Sequence, residues 1–201
     1  MKQTYGLSRP FDVSRGSFGG SQMWYQDSFD LQTGCGPVAL ANLFAWFNGL
    51  ALDQAEMTAL QETVTRYLKG PVVAPWQFIR GARHLFRRDG FSLDPIAMTI
   101  LRHSPAVKNR AKGFIAASLR SDDPAVLLMG PNRPGAAYRT DFRNHWVVIT
   151  AMTVEAGSIT LTVSSWGGLF EVDLDQLIRS KLFLSLVSLR VKEGPEPPDR
   201  G

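Results

Sequence analysis

The chain has 201 residues, 44% apolar and 20% charged, a composition well outside the low-hydrophobicity, high-charge regime in which chains stay disordered. That length accommodates one domain with a sizeable core and does not require a second. A net charge of +4 gives only mild long-range attraction for anions, and a single cysteine excludes an internal disulfide and leaves a free thiol.

The first residues, MKQTYGLSRPFDVSRGSF, lack the apolar core of a signal peptide, and no run of about 18 apolar residues is present to span a bilayer. A soluble, cytoplasmic protein is therefore expected. Residues 1–28 are rich in Gly, Ser and aromatics without a sustained period. They are expected to form an irregular lead-in that packs on a domain over 29–192 through Tyr5, Phe11, Trp24 and Tyr25. The polar, Pro-rich 193–201 reads as a disordered tail.

From Gly36 to Asn48 apolar residues crowd nearly all round the helical wheel, predicting a helix buried on most faces. Pro37 suits its first turn and Gly49 its end, so Cys35 falls at a helix N-terminus. A second helix is expected over Leu52 to Leu68, N-capped by Asp53, and a third over Pro75 to Arg88 with Phe78, Ile79, Ala82, Leu85 and Phe86 on its apolar face. Shorter helical pieces are expected near 95–102 and 107–120. After Pro124 the pattern changes to strand-like runs at Ala125–Met129, His145–Thr153, Ser158–Val163 and Leu182–Val191, with a short helix from Val172 to Ser180 before the last. Helices first and antiparallel strands second indicate an α+β fold.

The chemistry rests on Gln32-Thr33-Gly34-Cys35-Gly36-Pro37. A helix N-terminus supplies partial positive charge and free N–H groups that stabilise a thiolate, the reactive form of cysteine. Gly34 and Gly36 allow close approach of a substrate backbone. The plainer reading is a small buried core residue, so a base must be found. Of three histidines, His84 lies among Arg83 and Arg87 on a polar helix side, and His103 precedes Ser104-Pro105 as a helix-terminal charge. His145 opens the strand His145-Trp146-Val147-Val148 and is the best base for Cys35.

The order of Gly34-Cys35-Gly36-Pro37 before a helix, the strand PAVLLMGP, Asn144-His145-Trp146-Val147-Val148, then Ser164-Ser165-Trp166-Gly167-Gly168 resembles papain-like cysteine peptidases over roughly 20–190. It is most similar to the bacteriocin-processing, double-glycine-peptidase-like branch, a bacterial group. The resemblance implies the papain-like fold, with helices packed on a C-terminal antiparallel sheet and the nucleophile at a helix N-terminus. It also implies Cys35 as nucleophile, His145 as base and then acid, and an acyl-enzyme intermediate. Ser164 stands where the family has the Asn or Asp that orients the histidine; it can accept the imidazole N–H but cannot neutralise an imidazolium. The oxyanion-hole glutamine is Gln26 or Gln32, with Gln32 favoured beside the Cys35 N–H. Asn144, Trp146 and Trp166, with the two glycines, are expected to contact substrate.

The resulting function is a cysteine hydrolase acting on a peptide or isopeptide bond. Two alternatives stay open: acyl transfer at the same site, and an inactive papain-like module that binds peptides. Arg80, Arg83, Arg87 and Arg88 share one helix face without any recognised nucleic-acid motif, so nucleic acid is not the expected partner. One cysteine and scattered histidines do not form a metal cluster. With no phosphate-binding or dinucleotide fingerprint either, no cofactor is expected.

Overall fold

A computed structural model of the chain describes residues 2–100, 104–131, 141–180 and 182–192; His103 and the expected tail at 193–201 lie outside them. The chain order is β1 (Lys2–Gly6), a 3-10 turn (Gln22–Trp24), α1 (Ser28–Thr33), α2 (Cys35–Phe47), α3 (Gln54–Thr65) and α4 (Pro75–Arg88). Next come β2 (Ser92–Leu93), β3 (Ile96–Ile100), α5 (Pro105–Arg120), β4 (Ala125–Met129), β5 (His145–Glu155) and β6 (Ser158–Ser165). The chain continues through β7 (Gly168–Asp173), α6 (Leu174–Arg179), β8 (Leu184–Ser188) and β9 (Val191–Lys192). The fold is a mixture of helices and antiparallel sheet.

The main sheet has seven strands in the order β3-β8-β4-β5-β6-β7, with β1 alongside the outer half of β5. Each of its pairings is antiparallel. Alternate residues of the central strands enter two separate cores. Val126, Leu128, Trp146, Val148 and Val187 pack with Leu40, Leu43, Phe78 and Phe86 of α2 and α4. Leu127, Met129, Val147, Ile149 and Leu186 pack with Ile115 and Leu119 of α5 and Leu174 and Leu177 of α6. Covering both faces explains why these strands read as continuous apolar runs rather than alternating ones.

The helix starts follow local chemistry. Asp53 accepts from the Glu56 N–H at 2.9 Å while Glu56 accepts from the Asp53 N–H at 2.8 Å, a reciprocal cap that fixes the start of α3. Pro75 opens α4 as sequence predicts.

Two local expectations are corrected. In place of the helix expected near 95–102, Ile96–Ile100 forms β3 and pairs with β8, because Ile96, Met98 and Ile100 recur with period two and turn one side of an edge strand inward. Nor is the lead-in wholly irregular, since Lys2–Gly6 pairs with Ala151–Glu155. Among the described residues, no helix is long and apolar enough to cross a membrane.

Candidate active site

Cys35 is the first residue of α2. Gly34 stands at the N-cap and provides no side-chain cap. A Cβ on Gly34 would lie 2.4 Å from the Asp30 carbonyl and 2.6 Å from the Tyr25 ring, and one on Gly36 would lie 2.7 Å from the Val72 side chain. The glycines therefore make room for the protein's own groups.

β4 and β5 end and begin together at Met129 and His145, which places Asn144, His145 and Trp146 beside the start of α2. The Cys35 Sγ–H donates to the Asn144 carbonyl at 3.8 Å. Asn144 has a φ of 52°, a left-handed turn that asparagine tolerates better than most residues. Trp146 is core rather than cleft wall: it is buried, stacks on Phe78 with ring centroids 4.7 Å apart, and donates from Nε1 to the Val72 carbonyl at 2.7 Å.

Cys35 and His145 line one small hollow of about 10 Å³ together with Gln22, Asn42, Ser164, Ser165 and Trp166. The imidazole is buried beneath Trp166, whose ring centroid lies 4.6 Å away, and Trp166 in turn stacks on Phe142. Trp166 thus caps the histidine. Ser165 Oγ lies 2.7 Å from His145 Nε2. Ser164, expected in that role, donates instead to the Phe18 carbonyl. Nδ1 is the ring nitrogen that Ser165 does not engage.

Gln22 was missed by sequence reasoning. Its Nε2 donates to the Leu31 carbonyl at 3.0 Å, while its Oε1 is buried without a partner. The segment carrying it is strapped down from several directions: Gly20 N–H to Asn42 Oδ1 at 2.7 Å, Gln61 Nε2 to the Ser21 carbonyl at 3.1 Å, and Gly167 N–H to the Gly20 carbonyl at 3.1 Å. No local sequence signal marks these contacts. Gln32 is exposed on α1, and Gln26 is exposed and lines neither the hollow nor the cleft described next.

On its outer side Cys35 borders a cleft of about 460 Å³, with Gln32, Thr33, Pro71, Val72, Val73, Asn144 and Phe183 around it. This is the size of a small-ligand or peptide side-chain pocket. Val73 stands 67% exposed on its rim.

Burial dominates the electrostatics. The Cys35 thiol is pushed above its ordinary range by desolvation, against which the backbone N–H groups of Trp146, Gly36 and Cys35 itself act. His145 is pushed down to about 4 by burial. The helix start was expected to lower the thiol pKa; enclosure outweighs it. Both shifts favour the thiol and the neutral imidazole over an ion pair.

The sequence matches no family model and no curated protein. The fold is similar to the crystal structure of UfSP from C. elegans, with a TM-score of 0.59 and 11% identity. That match covers 96% of this chain and 35% of the other, so the chain spans about a third of that protein's length. That likeness is one of fold alone; the papain-like resemblance and its bacteriocin-processing branch rest on the sequence motifs.

Proposed function

We propose that this chain is a papain-like cysteine hydrolase that cleaves a peptide or isopeptide bond through an acyl-thioester on Cys35. The observation that carries the reading is the position of Cys35, which lines both the small hollow it shares with His145 and the outer cleft. In the proposed reaction His145 Nδ1 takes the Sγ proton as sulfur attacks the carbonyl carbon. The Cys35 N–H and the second N–H of the Gln22 amide face the developing oxyanion. The imidazolium then protonates the departing amine, leaving the thioester. Water, deprotonated by the same imidazole, attacks the thioester to release the acid and restore the thiol. Gln32 meets the bound substrate from the cleft rim. The motif likeness to the bacteriocin-processing branch favours a peptide substrate.

The test is incubation with a panel of peptide nitrophenyl esters, with and without an added amine. The expected result is a mass increase on Cys35 and nitrophenol release, both lost in Cys35→Ala. Free acid as the product in the presence of amines supports hydrolysis; amide formation supports acyl transfer. No adduct at any pH, with the chain intact, moves the reading to a peptide-binding module, which the neutral resting pair favours.

The two serines separate in the same assay. Ser165→Ala removes one neutral hydrogen bond from the imidazole, worth about 1 kcal/mol, and is expected to lower turnover about fivefold and to move the imidazole NMR titration. Ser164→Ala is expected to lower the unfolding midpoint while leaving that titration in place. The reverse pattern would return the orienting role to Ser164.

A further inference from the structure

The rim residue Val73 leads directly into α4, and Trp76, 63% exposed, stands on the first turn of that helix. Gln77 Oε1 fastens the junction by accepting from the Val73 and Ala74 N–H groups at 2.9 and 3.0 Å. From Trp76 a groove of about 350 Å³ runs along α4 past Ile79, Arg80, Arg83 and Arg87 to Pro95. A second hollow of about 220 Å³ continues it between Arg83, Arg87 and Phe91. Trp76, Arg80, Arg83 and Arg87 succeed one another at spacings of four, three and four residues, so they form one stripe about 16 Å long.

The arginines of this stripe are uncompensated. Among the described residues the ion pairs are Lys108–Asp175 and Lys192–Asp94, and the second occupies the carboxylate next to Pro95. Three exposed guanidinium groups thus face solvent above an apolar floor of Ile79 and Trp76. Guanidinium forks suit carboxylates bidentately, and an extended chain presents same-side residues about every 6.6 Å, close to the spacing of neighbouring side chains on a helix face.

We propose that this stripe is an extended substrate subsite that binds an acidic segment of the polypeptide whose adjoining part enters the Cys35 cleft. The inference rests on the peptide-hydrolase reading above and adds the class of substrate: a chain with glutamates or aspartates a few residues from the attacked bond. Continuity with the cleft through Val73 and Trp76 favours a peptide over a nucleic acid. Aspartates and glutamates on the substrate would supply the counter-charges the fold withholds.

The test uses the full chain and haloacetyl peptides in which a Gly-Ser spacer separates the electrophile from a run of glutamates or of glutamines. The electrophile is placed at the N-terminus in one pair and on a C-terminal lysine in the other. Cys35 sulfur displaces chloride to form a thioether, the thiol proton passing to buffer. In one orientation the glutamate peptide is expected to label Cys35 about tenfold faster than its glutamine twin at low salt, an advantage that fades near 0.5 M salt as screening shortens the Debye length to a few ångströms. The combined substitution R80E/R83E/R87E should abolish that preference while leaving iodoacetamide labelling and the unfolding midpoint unchanged. Equal labelling by both peptides in both orientations, or a preference that survives the triple substitution, overturns the proposal. So does tighter binding of fluorescein-labelled oligo-dT than of the fluorescein-labelled glutamate peptide at equal salt. If Cys35 proves inert to every electrophile, the hydrolase reading fails separately, and anisotropy with the labelled glutamate peptide still tests the stripe.

Discussion

Replacing His145 with alanine is expected to reduce peptide-ester turnover by about 10²- to 10⁴-fold, the range that a positioned general base contributes. The reason lies in the resting state. Burial raises the thiol pKa and lowers that of the imidazole to about 4, so few molecules carry a preformed thiolate at neutral pH. Under the proposed mechanism, His145 would remove the proton as the bond forms. Iodoacetamide alkylation of the wild type should therefore climb with pH through and beyond the ordinary thiol range near 8.5, without a plateau at neutrality. A wild-type plateau at neutral pH that disappears in His145→Ala would instead establish a resting ion pair and overturn the neutral-pair account. Turnover unchanged by the substitution would remove His145 from the mechanism.

The second large effect concerns acid stability. His145 titrates near 6.5 when unfolded and at about 4 when folded, so between those values the unfolded chain binds the extra proton. Stability from this group is fully present above about 6.5 and is lost as the pH falls toward 4, with a ceiling of about 3 kcal/mol. Asp123 works the other way: burial raises its carboxyl pKa, so its protonation favours the folded state as the pH falls. The informative quantity is consequently the difference between wild type and His145→Gln in the pH dependence of the urea midpoint. The wild type should lose more stability between about pH 6.5 and 4.5. Parallel curves would mean that the imidazole is not held neutral by the fold.

What was legible in the sequence was local. Pro37 followed by a mostly apolar stretch marks the start of α2 almost to the residue, and Asp53 announces α3. His145 is conspicuous because it leads a strand-forming run. Which serine meets the imidazole was not legible, because adjacent positions on a strand point to opposite sides. The β5–β6 ladder also shifts register between Ile149 and Ala151. Choosing between Ser164 and Ser165 requires that register. Gln22 escaped for a different reason: thirteen residues before the cysteine, it reaches the hollow only because Asn42, Gln61 and Gly167 hold its segment. The direction of the thiol pKa shift was hidden likewise. A helix start is visible in sequence, whereas the enclosure that outweighs it comes from the tertiary fold.

Trp146 follows His145 on β5, and its indole is bonded to the carbonyl of Val72 in the wall of the cleft. Its own backbone N–H also faces the Cys35 sulfur. One residue thus joins the wall, the imidazole and the thiol as a mechanical linkage. Any displacement of the Val72 carbonyl in the Pro71–Val73 wall would therefore be felt at the strand that carries His145.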